Sequence, residues 1–308
     1  MITYILTGGT IGSSIGADGV ARPDADVSAL IGKDAKILTP YTILSENLDA
    51  AHLNLLIKET ADVIREGESE GIIITHGSDT LQYTAAILDI IFGGADIPIV
   101  LVAANYVLTD PRSNGKANLY FAQRFIKEKR GRGVFVCYKN PKEAVKIHCG
   151  GKLMPHEAFS DRIKSVNDKI YGYYKDDTDK STAEYIQLGN IEEKEAYDGS
   201  IPCLDEKPGS ILRLEPYPGM SYPEIGEGVK AVLLGSFHSG TIAVNDGLKS
   251  FLDKAHQRGI AVWLCGITRE GTEYETISSY KKMGIHPVYD VSPVYAYCML
   301  WLRGFFPA

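Results

Sequence analysis

No apolar stretch in this 308-residue chain approaches the roughly 20 residues that a membrane-spanning helix needs. Clustered basic charge is also missing. Lys and Arg number 32 against 39 Asp and Glu, a formal net charge of −7, and the one dense basic run, 127–132, reads as a solvated helix end. These deficits argue against a membrane partner and against a nucleic-acid partner. The five cysteines (Cys137, Cys149, Cys203, Cys265, Cys298) are odd in number and widely scattered, without the spacing of a disulfide framework, and read as free thiols. The first residues, Met1 to Leu6, lack the charged region and cleavage site of a secretory signal and pass straight into a core-like strand, so a cytoplasmic location is expected. The dinucleotide fingerprint and the phosphate loop are both absent, and no nucleotide is expected. His148, Cys149 and His156 make poor zinc spacing without a fourth partner, so no metal is expected either.

What the chain does have is 44% apolar residues, enough for one large or two medium domains. Its organising stretch is Gly71 to Leu81. Ile72, Ile73 and Ile74 form a β-branched apolar run that suits a strand buried on both faces of a parallel sheet. Leu81, Ala85, Leu88 and Phe92 then recur at spacings of three and four, one face of a helix, with Gly93-Gly94 as its stop. Ser78 and Asp79 fall at that helix's N-terminus, where unpaired N–H groups and the helix dipole favour a cap or an anionic ligand. Capping alone would explain either residue singly. It leaves Thr75, His76 and Thr80 unexplained.

The same grammar recurs along the chain. A first strand, 3–6, opens into the glycine-rich, hydroxyl-bearing turn Thr7-Gly8-Gly9-Thr10-Ile11-Gly12, and residues 15–26 read as a mobile surface loop able to act as a lid. A second strand is expected over 35–44. Ser45-Glu46-Asn47 follows, with Ser45 or Asn47 a simple N-cap or a functional group, before a helix through Leu53, Leu56, Ile57 and Ala61. Strands at 98–104 and 134–138 flank a turn, 109–115, and a helix from near Asn118. The pattern weakens over 139–180. Strands near 210–214, 228–234 and 260–265, a helix through Leu248, Phe251, Leu252 and Ala255, and a last helix including 295–302 then restore it. The aromatic tail (Tyr295, Tyr297, Trp301, Phe305, Phe306) is either the buried face of that helix or a subunit contact. The expected fold class is α/β, a larger N-terminal doubly wound domain (1–185), a linker (186–210) and a smaller C-terminal α/β domain (211–308), with a ligand site at the strands' carboxyl ends.

Two ordered signatures, Gly8-Gly9-Thr10-Ile11-Gly12 and Thr75-His76-Gly77-Ser78-Asp79-Thr80, resemble those of the two-domain, threonine-dependent, bacterial-type L-asparaginase family. Supporting similarity runs through Ser45-Glu46-Asn47, 110–119 and 235–241, so it covers nearly the whole chain. The resemblance implies an amidohydrolase that cleaves the side-chain amide of L-asparagine without a cofactor. It implies Thr10 as nucleophile, Ser78 in the place of the family's second catalytic threonine, and Asp79 holding the substrate's α-amino group. Ser45 would bind the α-carboxylate, with Glu46, Gly77 and Ala104 as neighbouring substrate contacts. A lysine should accept the proton, and Lys164 is the first choice because it follows Arg162-Ile163 and Tyr173 lies nine residues on; Lys152 is the reserve. Backbone N–H groups of the first turn could form an oxyanion hole.

The chain departs from the family in having Ser78 for threonine, no tyrosine between Ile15 and Asp26, and Ala103-Ala104-Asn105 where a glycine commonly begins the stretch. A small amino-acid amide is the implied substrate. Rival readings are a glutaminase, the amide-hydrolysing subunit of a tRNA-dependent amidotransferase, and a catalytically silent binder of acidic amino acids. The resemblance further implies a homodimer or homotetramer, with the turns at 238–241 and 269–275 placed to complete a neighbour's cleft.

Overall fold

In the computed structural model, the continuous isoleucine run of residues 72–74 forms the middle of a central strand because both its faces are covered, and all three side chains are fully buried. The structure describes every residue except 25, 26, 28, 29, 33, 177–180, 191–193, 208, 270–274 and 304–308. It divides into two units, 1–204 and 205–308.

The first unit runs β1 (Ile2–Leu6), β2 (Ser14–Ile15), β3 (Ala21–Arg22), β4 (Lys36–Leu38), α1 (Ala50–Glu66), β5 (Gly71–Thr75), α2 (Leu81–Phe92), β6 (Pro98–Val102), α3 (Gly115–Lys127), β7 (Gly133–Lys139), β8 (Val145–Cys149), β9 (Gly172–Lys175) and β10 (Glu184–Gln187). Its eight-stranded sheet has the order β10-β9-β8-β7-β6-β5-β1-β4. From β4 to β7 every pairing is parallel, and β8, β9 and β10 continue the sheet antiparallel. Period-two alternation divides the strands' side chains between two layers. Tyr4, Ile73, Val100, Val102, Phe135 and Cys137 join one core with Leu119, Phe121, Ala122 and Phe125 of α3. α2 packs on β7 and on the tight turn Gly150–Lys152. Strand order reverses at β1, which lies between β4 and β5, so a crevice opens at the carboxyl end of β1 between connections that leave in opposite directions.

The second unit contains β11 (Ile211–Leu214), β12 (Ala231–Leu234), α4 (Asp246–Gln257), β13 (Ala261–Ile267), α5 (Glu275–Lys282), β14 (Ile285–Tyr289) and α6 (Pro293–Arg303). Its four strands are parallel in the order β11-β12-β13-β14. Leu248, Phe251 and Leu252 of α4 and Ile277 and Tyr280 of α5 cover one face, and Ala296 and Leu300 of α6 cover the other. The mixed α/β architecture is the expected one.

Several local expectations change. The 35–44 strand shortens to β4 because Pro40 has no N–H to give a ladder, and Ile43 rejoins through a lone bridge to Gly8. The cap of α1 is neither Ser45 nor Asn47 but Asp49, whose carboxylate accepts from the His52 N–H at 3.0 Å. Ser78 and Asp79 do not cap α2, which begins at Leu81. Residues 15–22 form part of a short hairpin, β2 with β3, rather than an irregular loop. β8, β9, α5 and β14 carried no sustained period in the sequence. In α6 the fully buried side chains are Val294, Ala296, Cys298 and Leu300, while Tyr295, Tyr297 and Trp301 are half-buried; Phe305 and Phe306 lie outside the described residues. The five cysteines are free. Among the described residues no helix is long and apolar enough to cross a membrane.

Asn118 ties the carboxyl end of the sheet to α3. Fully buried, its Nδ2 donates to the Ala103 carbonyl at 2.8 Å and its Oδ1 accepts from the Lys139 N–H at 2.8 Å. Asn118→Ala therefore leaves a buried carbonyl and a partly buried N–H without this partner and should destabilise the protein by roughly 2–4 kcal/mol. Urea unfolding followed by tyrosine fluorescence measures this, and a loss below about 1 kcal/mol would show that water replaces the amide.

Candidate active site

The site is built by three strand-end turns. After β1 the chain keeps its pairing with the 39–44 segment, since the Gly9 N–H donates to the Ile43 carbonyl at 2.9 Å and the Ile43 N–H to the Thr7 carbonyl at 3.1 Å. Gly9 sits at φ +70°, and a Cβ there would lie 2.5 Å from the Gly77 Cα and 2.6 Å from the His76 carbonyl carbon, so only glycine fits. A Cβ on Gly77 would in turn lie 2.5 Å from the Ser45 Cβ. The turns after β1 and β5 thus meet backbone to backbone, with Ser45 wedged against the second. Thr10 follows Gly9 and Ser78 follows Gly77, so both hydroxyl residues leave from this contact.

Polar residues underneath hold the arrangement. The Thr7 hydroxyl donates to the Thr75 carbonyl at 2.6 Å, and the Thr7 N–H donates to the Thr75 hydroxyl at 3.2 Å. The Thr80 hydroxyl donates to the Ser45 carbonyl at 2.9 Å, joining the two turns across the crevice. His76, only 2% exposed, places Nδ1 2.8 Å from the Gly77 carbonyl and Nε2 2.8 Å from the Thr84 hydroxyl on α2. Burial lowers its pKa to about 4, so the ring is neutral near pH 7. Thr75, His76 and Thr80, which capping could not account for, therefore serve the turns' geometry. Thr7 and Thr84 were missed, because nothing in a single sequence marks a threonine whose partner lies 68 or 8 residues away.

Ser45 is 4% exposed, and Ala104 is fully buried beyond β6. Next to it, Asn105 and Asn114 exchange backbone-to-side-chain bonds of 3.0 and 3.1 Å, which fixes the Ala103–Asn105 wall. Thr10 and Ser78 are half-buried, and Glu46 and Asp79 are exposed. Among the described residues neither the side chains nor the backbone N–H groups of Thr10 and Ser78 have a hydrogen-bond partner. Hydroxyls and N–H donors left open together suit a nucleophile beside an oxyanion site.

Lys164 is not gathered into this network. Its side chain is 44% exposed and its ammonium donates to Glu157 at 2.8 Å. Lys152 is half-buried and ends the Gly150–Lys152 turn, where a Cβ on Gly150 would lie 3.1 Å from the Ala85 carbonyl of α2. The His148 Nδ1 sits 2.7 Å from the Ser165 hydroxyl and the His156 Nε2 2.8 Å from the Ser160 carbonyl, and no group of three or more His, Cys, Asp or Glu that could hold a metal occurs among the described residues. In the second unit the 238–241 turn closes on itself through Phe237 N–H to Thr241 carbonyl, 2.8 Å. Residues 270–274 of the other expected turn lie outside the described residues.

Comparison with known proteins agrees with this geometry. Residues 1–179 match the family described as asparaginase, N-terminal. Curated relatives include proteins named as a subunit of glutamyl-tRNA(Gln) amidotransferase, from Pyrococcus furiosus (26% identical, covering 98% of this chain and 72% of the relative) and Methanopyrus kandleri (25%, covering 97% and 69%). Similar solved structures are the thermostable L-asparaginase of Thermococcus kodakarensis (TM-score 0.76, 24% identical, covering 98% of this chain and 92% of that one) and L-asparaginase I of Vibrio cholerae (TM-score 0.76, 23%, covering 98% and 92%). With the signature turns in contact and the family match spanning more than half of its length, the chain belongs to the asparaginase family and has that family's amidohydrolase fold.

Proposed function

We propose that this protein hydrolyses the side-chain amide of L-asparagine to L-aspartate and ammonia through a covalent Thr10 ester. The observation that carries the reading is the Gly9–Gly77 contact at the strand-order reversal, because the residues that follow these glycines, Thr10 and Ser78, each keep a hydroxyl and an N–H without a hydrogen-bond partner among the described residues. In this mechanism the Thr10 hydroxyl attacks the amide carbon while its proton passes through Ser78 to a lysine. The carbonyl oxygen becomes an oxyanion that accepts from the Thr10 and Ser78 N–H groups. Collapse breaks the C–N bond, and the nitrogen leaves as ammonia after taking the proton back. Water then cleaves the ester, releasing aspartate and reprotonating Thr10. Ser45, Glu46 and Gly77 hold the α-carboxylate side, Asp79 the α-ammonium, and Ala104 lines the amide.

For the proton acceptor we favour Lys152 over Lys164. Lys164 is exposed, and its ammonium donates to the Glu157 carboxylate rather than to any group of the three turns. Lys152 is half-buried in a turn packed on α2, the helix that follows Ser78.

The relatives named for a tRNA-dependent amidotransferase favour a second reading, in which the amide nitrogen is delivered to a partner protein. Ammonia release measured across L-asparagine, L-glutamine and their D-forms separates the cases: preference for L-asparagine supports the asparaginase reading. No turnover of any of them, with measurable aspartate binding, would overturn it in favour of a silent binder. We also infer a homodimer or homotetramer, for which activity per subunit should fall on dilution below the dissociation constant; a fully active monomer by light scattering would refute this.

Thr10→Ala should lower kcat by several orders of magnitude with the fold intact by circular dichroism. Activity within about tenfold of the parent would reassign the nucleophile. Ser78→Thr should be tolerated, since it keeps the hydroxyl and stiffens its rotamer. Ser78→Ala and Lys152→Met should each damage turnover, and their losses should not add, as expected of one proton-transfer unit. A silent Lys152→Met beside a damaging Lys164→Met would return the role to Lys164.

A further inference from the structure

His76 is one residue before the proposed oxyanion donor's peptide, its ring bonds to the Gly77 carbonyl and the Thr84 hydroxyl rather than to Thr10, and these hydrogen bonds leave it a single useful state. The Gly77 carbonyl can only accept, so the Nδ1 atom 2.8 Å away must carry the ring proton. A neutral ring then has a bare Nε2, and the Thr84 hydroxyl 2.8 Å away must donate to it. In a trans peptide the C=O and the following N–H point in opposite directions. Anchoring the Gly77 carbonyl against the buried imidazole therefore turns the Ser78 N–H away from it. That N–H has no acceptor among the described residues.

We propose that His76 is a positioning residue that locks the Gly77–Ser78 peptide plane so that the Ser78 N–H faces the substrate's reacting carbonyl, and that Thr84 acts through it by fixing the ring tautomer. This rests on the amidohydrolase reading above. Were the plane to rotate, a carbonyl oxygen would face the developing oxyanion in place of a donor, which opposes the transition state more than the ground state. Without the Thr84 hydroxyl, the Nε2–H tautomer competes, and its Nδ1 lone pair would face the Gly77 oxygen and repel it. The neighbouring turns limit other adjustments, because Gly77 is already in contact with Gly9 and Ser45.

Substitutions can separate the two ring nitrogens. In His76→Asn the side-chain NH2 stands near the Nδ1 position and can still donate to the Gly77 carbonyl; in His76→Gln it stands near Nε2 and cannot. We expect His76→Gln, His76→Leu and the isosteric Thr84→Val to lower kcat by roughly 10- to 100-fold, with KM changed less than about threefold. His76→Asn should retain kcat within about fivefold, and His76→Asn/Thr84→Val should be no worse than His76→Asn, because the tautomer no longer matters. Thr84→Ser should behave as the parent. Long-range 1H–15N spectra, with the His76 ring assigned by its loss in His76→Asn, should show Nδ1–H and bare Nε2 near pH 7 in the parent and in Thr10→Ala, and a tautomer mixture in Thr84→Val. Equal loss in His76→Asn and His76→Gln, a silent Thr84→Val, or an Nε2–H ring in the parent would overturn the proposal. An active Thr10→Ala would instead overturn the functional reading beneath it, while the spectra would still report on the peptide plane.

Discussion

The site depends on two backbones touching. Gly9 approaches the Gly77 backbone so closely that it has no room for a side chain, Ser45 occupies the space a Gly77 side chain would need, and the approach brings the turn after β1 against the turn after β5. Such a contact is available only where two parallel neighbours end level with each other, as β1 and β5 do, with Leu6 opposite Thr75. The Thr7–Thr75 bonds lock that level, and Thr80 binds Ser45 from the remaining side. A sheet whose strand order did not reverse at β1 would have carried one of these connections elsewhere.

Beneath the turns the polar groups are neutral. Asn118 clamps the ends of β6 and β7, Asn114 joins the Ala103–Asn105 wall to the Lys139 carbonyl, and Asn140 exchanges bonds with the backbone of Ile163 at 2.8 and 3.0 Å. His76 belongs to the same class once its ring is neutral. Amides and a neutral imidazole can be buried with all their hydrogen bonds made, whereas a buried ion would carry a large desolvation penalty. Exposed ion pairs such as Lys164–Glu157 and Lys58–Asp62 add little stability, and the buried Asp89 carboxylate of α2 is paired with Lys194. The rigid wall and the exposed ions thus do different jobs: the former holds geometry, and the latter keeps the surface hydrated.

Ordinary patterning made the fold class legible. The run Ile72–Ile74 marked a strand covered on both faces, and Leu81, Ala85, Leu88 and Phe92 marked the buried face of α2, because strand and helix periods are local consequences of backbone geometry. Where a segment derives its structure from partners, that signal fails. β8 and β9 are held by cross-strand pairing and by the aromatic cluster around Phe121 and Tyr174, and α5 and β14 are short, so none showed a sustained period.

The three hydroxyl-bearing turns and their order were written in the sequence, and with the family resemblance they carry they sufficed to name Thr10, Ser45, Ser78 and Asp79 as candidates. That Asp49 rather than Ser45 caps α1, that Thr7 and Thr84 serve the turns, and that Lys164 is committed to Glu157 required the folded chain. The sequence by itself determined which residues carry hydroxyls, amides and glycines beside strand ends, since propensity and periodicity act over a few neighbours. The tertiary structure alone decided which of those groups meet, because a hydrogen bond spanning 68 residues has an energy set by the register of two strands and by exclusion of water, neither of which any short stretch of chain contains.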